Sequence, residues 1–137
     1  MALGYRVELR NARLNLVRDY IDAAATAGVI KIYSGTRPAS SGGALSGNTL
    51  LASGTFSDPS APNAAAGVLT FSAITYGNAV ATNTATWARI EDGDGLFVSD
   101  ADVGAVGSGA DIIVNSVDFV SGGPVTHVSA TITSGNA

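Results

Sequence analysis

Along most of this chain apolar residues recur at every second position, and only near the start at every third or fourth. A period near 3.6 marks a helix with one apolar face, and a period of two marks strands whose side chains alternate between the faces of a sheet. Residues 8–27 carry the helical pattern: Leu9, Leu16 and Tyr20 form one stripe, Leu14, Val17 and Ile21 lie beside it, and Arg10, Arg18, Asp19 and Asp22 fall opposite. The alanine-rich run 23–27 has high helix propensity, and Gly28 stands where a left-handed C-terminal cap belongs. The helix is therefore expected to end near Ala27.

From Val29 the period changes. Strand-like runs at 29–33, 50–56, 68–76, 85–91, 96–99, 111–114, 116–120 and 125–133 are separated by Gly and small polar residues at intervals of roughly ten. Asp94-Gly95 lies between two of these runs and is the residue pair that a tight hairpin with two positive φ angles requires. The pattern predicts a mainly β fold: an antiparallel, jelly-roll-like β-sandwich of about eight strands with one N-terminal α-helix. A single domain over 1–137 is expected, with an arm and helix at 1–28 and the sandwich at 29–137. Two connections, 34–48 and 57–67, are long for so small a domain, and loops of that length commonly carry function.

Composition narrows the chemistry. Alanine, glycine, serine and threonine make up 66 of the 137 residues, against 30 valines, isoleucines and leucines together, so the core is expected to be built from many thin strands. With no Cys, one His and a net charge of −4, disulfide scaffolds, thiol chemistry, cysteine metal sites and dedicated nucleic-acid binding are all disfavoured. No apolar run at the start has the form of a signal peptide, and no stretch reads as a membrane span. Charge is uneven along the chain: residues 1–37 hold six basic and three acidic side chains, whereas 38–137 hold only Arg89 against eight acids. Such asymmetry favours contacts between copies or docking on a charged neighbour, and it is also what a solvated helix face looks like. The basic start and the two long loops single out Arg6, Arg10, Arg37, Pro38, Pro59 and Pro62 as candidate partner contacts.

Few constellations suggest catalysis. Glu91, Asp92, Asp94, Asp100 and Asp102 form the densest carboxylate cluster, but the glycine spacing and the absent twelfth-position Glu do not make a calcium loop. A hairpin decorated with Asp explains them more simply. His127 shares a strand face with Ser129 and Thr131, with Val128, Ala130 and Ile132 opposite, and no nucleophile elbow accompanies it. The glycines of 104–109 lack the Lys and the strand-to-helix context of a phosphate loop. Trp87 suits core or interface packing, with sugar stacking as the sharper alternative, and Arg89 is expected to pair with a nearby carboxylate. No enzyme activity, cofactor or metal is expected.

Three stretches carry a resemblance. They are RNARLNLVRDYIDA (10–23) with IKIYSGTRPA (30–39) and GNTLLA (47–52); AAGVLTFSAIT (65–75) leading into GNAVATNTATWARIEDGDG (77–95); and GSGADIIVNS (107–116). Together they resemble a family of small structural proteins from the virion modules of tailed bacteriophages and prophages. The resemblance implies a virion protein assembled in the host cytoplasm, a head decoration or minor capsid protein whose partners are the major capsid protein or other virion proteins. A homo-oligomer, with a trimer as the guess from capsid geometry, is the accompanying expectation. A tail, fibre or baseplate component, or a carbohydrate-binding module on the virion surface, are the alternatives.

Overall fold

A computed structural model describes residues 4–134, so the first three residues of the expected N-terminal arm lie outside it. One helix, α1 (Val7–Ile21), precedes ten strands: β1 (Val29–Tyr33), β2 (Leu50–Phe56), β3 (Val68–Thr70), β4 (Ile74–Tyr76), β5 (Asn83–Thr84), β6 (Trp87–Glu91), β7 (Phe97–Ala105), β8 (Ile112–Val114), β9 (Asp118–Phe119) and β10 (His127–Thr133). The mainly β fold with a single N-terminal helix is the one the residue pattern predicts. β1 and β2 have the predicted bounds. The run expected at 68–76 is divided in two by residues 71–73, and β5 had no counterpart in the pattern.

Eight strands form one continuous sheet in the order β3-β10-β8-β7-β6-β1-β2-β4, and β5 pairs with β9 in a separate ribbon. The two edges of the large sheet, β3 and β4, are consecutive in the chain and joined by only three residues. Such a link spans at most ~14 Å when fully extended, so the sheet has to curl until its edges approach. Phe71 marks the closure: its N–H continues the β3–β10 ladder to the carbonyl of Ala130, and its ring lies 4.9 Å from that of Phe56 on β2. The result is a barrel-like form of the expected sandwich. Its inner face is lined by Ile30, Ile32, Leu51, Leu69, Ala88, Ile90, Val103, Ile112 and Val114.

Six of the seven pairings in that sheet are antiparallel; β7 and β8 run parallel, with Val103 opposite Ile112 and Ala105 opposite Val114. This departs from a purely antiparallel sheet. Parallel neighbours usually need a crossover of a dozen or more residues, but here the chain returns within 106–111. The return runs so close over β7 that a Cβ on Gly104 would collide with the side chain of Ser108. Gly104 and the glycines after it serve this fold-back.

Each end of the barrel is plugged. Leu14 and Ile21 of α1 enter the core at the end where β1 begins and β2 and β6 finish, together with Ala61 and Ala64 of the 57–67 loop. At the other end Ala79, Ala85 and Phe119, carried by the β5–β9 ribbon and its flanks, do the same. The helix stops at Ile21 instead of running to Ala27, and Asp22 explains why: both carboxylate oxygens accept from the N–H of Ser60, which fixes the chain's exit toward the loop. Gly28 is not a helix cap. Its Cα lies so close to Ile21 that a Cβ would sit 2.5 Å from that side chain, and this close approach requires glycine.

The hairpin at Asp94-Gly95 joins β6 to β7 as expected, but only Gly95 has a positive φ, +83°. Asp92 provides the rest of the turn: its Oδ1 accepts from the N–H groups of Asp94 and Leu96, both at 2.9 Å. The side chain thus replaces the second positive φ.

Candidate functional site

The loop 34–48 lies over the outer face of β1, β6 and β7, where a second cluster forms outside the barrel core. Tyr33 and Trp87, directly opposite in the β1–β6 register, stack at 4.8 Å and 19°. Arg89 donates to both oxygens of Asp100 at 2.8 and 3.1 Å, and its guanidinium packs over the rings of Trp87 and Phe97 at 5.2 and 5.4 Å. Asp100 holds the Arg89 charge in place and raises its pKa further. The loop closes on this cluster through the N–H of Gly42, which donates to Asp100 at 3.2 Å, and through Asn48, which donates to the carbonyls of Ser34 and Thr36. Trp87 is only 1% exposed and its indole N–H donates to Ser34. Its ring is packed and its polar atom satisfied, so it offers no face on which a sugar could stack.

The carboxylates of the densest acidic cluster are dispersed by the fold. Glu91 pairs with Lys31 at 2.6 Å, Asp100 with Arg89, Asp102 with Arg37 at 3.1 Å, and Asp92 holds its own turn. Among the described residues no group of three or more His, Asp or Glu side chains is arranged to hold a metal ion. The Asp92–Asp94 turn is tied to the segment after α1, where Thr26 donates to the carbonyl of Gly93.

His127 lies at the seam of the barrel. Its Nδ1 is 3.0 Å from the hydroxyl of Tyr76 on β4, bridging strands that share no ladder, beside a cavity of about 410 Å³ lined also by Ile74 and Val125. Gly54 leaves the room Tyr76 needs, since a Cβ there would meet its ring at 2.8 Å. Burial lowers the His127 pKa below the ordinary histidine value and pushes Tyr76 up to about 12, so the pair is a neutral hydrogen bond at pH 7. The expected face alternation fails here because of a register shift between His127 and Ser129, which turns Val128 out to solvent.

The six candidate contact residues fall into two groups. Arg37 and Pro38 belong to the 34–48 loop; Arg37 is exposed and ion-paired, and Pro38 is half-buried. Of the others, Arg6 stands at the start of α1, Arg10 on α1 against Gly67, and Pro59 and Pro62 on the 57–67 loop. Arg6 is exposed and paired with Glu8 at 2.9 Å, which lowers the Glu8 pKa. Arg10 is structural: its Nε donates to Ser134 and its guanidinium covers Gly67 so closely that a Cβ there would overlap it. Pro59 and Pro62 are exposed on the loop.

Only one of the two adjoining apolar stripes of the helix is buried. Leu14, Val17 and Ile21 point into the barrel, whereas Leu9, Leu16 and Tyr20 point outward. Leu16 is 56% exposed, Tyr20 67% and, beside them on β7, Phe97 41%. Between α1 and β7 runs a groove of about 380 Å³ lined by Arg13, Leu16, Val17, Tyr20, Phe97 and Val98. This apolar face is the strongest candidate for a binding surface. The sequence signal for it was present, as two adjoining apolar stripes on one helix of which a single barrel end can cover only one.

Comparison with protein-family models, with curated proteins and with solved structures finds no match to this chain. Among the described residues no helix is long and apolar enough to cross a membrane.

Proposed function

We propose that this chain is a non-enzymatic structural subunit of a tailed-phage-type virion, placed on the head as a decoration or minor capsid protein. The observation that carries the binding part of this reading is the outward apolar face of α1. A helix anchored on two sides of its circumference still presents Leu16 and Tyr20 beside Phe97 along one groove, and an exposed apolar patch on a small domain marks an interaction site. The virion setting is supported by the residues at 10–23, 30–39, 47–52, 65–75, 77–95 and 107–116 that resemble small phage structural proteins. A barrel plugged at both ends suits a part whose work is to bury surface between neighbours. In this role it links adjacent capsid subunits, and mass action raises shell stability as its sites fill.

Cryo-electron microscopy of purified particles made with and without this chain tests the reading. Density at symmetry-related positions over the head, with a higher thermal rupture temperature when the chain is present, is the expected result. Density confined to the tail selects a tail, fibre or baseplate role, and particles that never contain the chain overturn the virion reading.

A further inference from the structure

The outward face of α1 is not uniformly apolar. Leu9, Arg13, Leu16 and Tyr20 follow one another at spacings of four, three and four, so a guanidinium lies in the middle of the exposed stripe and lines the groove against β7. The other arginines of this region are engaged. Arg6 pairs with Glu8, Arg18 with Asp19 and with the side chain of Asn63, and Arg10 donates to Ser134. Arg13 meets no carboxylate among the described residues; its guanidinium rests on the ring of Tyr5 at 5.0 Å. A planar cation in this position presents free donors beside an apolar lining of Leu16, Val17, Tyr20, Phe97 and Val98. The groove volume of about 380 Å³ lies within the range, about 300–1,000 Å³, of small-ligand sites.

We propose that this groove seats a segment of a partner protein that combines apolar anchor side chains with one carboxylate, and that Arg13 reads the carboxylate. The proposal rests on the reading of this chain as a binding protein and deepens it by naming the partner's chemistry. Charge complementarity selects the occupant: an apolar segment alone leaves the guanidinium facing apolar surface, and a basic one is repelled. Arginine matches a carboxylate with two parallel donors, which fixes register as well as affinity. The apolar anchors on either side keep water from that pair, and anchors surrounded in this way dominate binding energy at protein interfaces.

The test is selection from a random linear-peptide library on the immobilised protein, with Leu16→Asp protein as the counter-selection, in parallel with sedimentation velocity on the free protein. Enriched peptides are expected to carry Asp or Glu within a few positions of Leu, Phe, Trp or Met. Fluorescence polarisation with one such peptide is then expected to show a loss of at least tenfold for Arg13→Glu. Converting the peptide carboxylate to its amide is expected to weaken binding to the parent and to cost nothing, or to recover affinity, in the Arg13→Glu background, where a carboxylate is repelled. Both substitutions are at exposed positions, so unchanged melting curves establish that the fold is intact. Enriched peptides without acids, binding indifferent to Arg13→Glu, or no enrichment over the Leu16→Asp control each overturn the proposal. A concentration-dependent dimer dissolved by Leu16→Asp also overturns it, by assigning the face to a second copy. None of these outcomes depends on where the chain sits in a particle, so they are separable from failure of the virion reading.

Discussion

The two long loops look alike in sequence and are held in opposite ways. The 57–67 loop is bound along its length by one polar stripe of α1: Asn11 accepts from the N–H of Gly67, Asn15 from Ala64, and Asp22 from Ser60, while Arg18 donates to Asn63. These four helix residues are spaced by four, three and four, so they form a row down one side of the helix, next to the row that enters the core. The loop repeats the logic of a strand partner, with helix side chains in place of a second backbone. The 34–48 loop is held instead at a few points around an aromatic and ionic cluster, with most of its residues exposed. Loop length alone therefore says nothing about freedom. What matters is whether the backbone N–H groups find partners within the molecule.

Truncating the floor of the outer cluster is expected to have the largest effect. Trp87→Ala removes the stack with Tyr33 and the surface on which Arg89 rests, and loss of a buried aromatic costs about 3–5 kcal/mol. Chemical denaturation measures that cost. Limited proteolysis should then cut within 36–46 and leave 57–67 protected; equal cleavage of both loops would show that they are not independently held. Next in size is Asp22→Ala, which leaves the N–H of Ser60 without its acceptor inside the joint and should cost about 2 kcal/mol. Here amide exchange should rise at 58–66 and stay low under Trp87. An Asp22→Ala protein with parental stability and exchange would sink the view that the helix stripe anchors the loop.

Strand periodicity was legible because β1, β2 and β6 alternate over five or more residues, and each buries one face against the barrel and, for β1 and β6, part of the other against a loop. The helix was legible as a helix but not in its orientation. Its two apolar stripes compete for one barrel end, and the winner is set by the neighbouring Asn11, Asn15 and Asp22, whose partners are backbone groups some 40 to 60 residues away. The same remoteness hid the end of α1: local propensity favours helix through the alanines, and the bond from Ser60 to Asp22 overrides it. β5 and β9 pair over two residues each, too few for any periodicity to register. The groove beside α1 was legible only in part: the second apolar stripe of the helix is in the sequence, but Phe97 and Leu16 become neighbours only in the folded chain.

The smallest expected effect probes the tip of the anchored loop. Ala66 and Gly67 have successive positive φ angles, 53° and 76°, between Ala65 and Val68, whose backbone groups bond in both directions at 3.0 and 2.9 Å. Two positive φ angles in a two-residue turn define the type I′ geometry, for which Asn-Gly is the favoured pair. Alanine in the left-handed region carries a steric penalty of about 1–2 kcal/mol, and the helix compensates it by holding Gly67 between Asn11 and Arg10. Ala66 is exposed, so a longer polar side chain meets no neighbour there. Ala66→Asn is accordingly expected to stabilise the protein by about 0.5–1 kcal/mol, and Ala66→Val to destabilise it by a similar amount or more. Thermal melts of the three proteins should rank them Asn, Ala, Val, the reverse of the order that added apolar surface would give. If the strain is held only by the helix, the Asn gain should grow in an Asn11→Ala background, where the turn has lost its anchor. An unchanged gain there would mean that the turn is fixed by the β3–β10 ladder alone, and that the contrast between the two loops ends at Ala64.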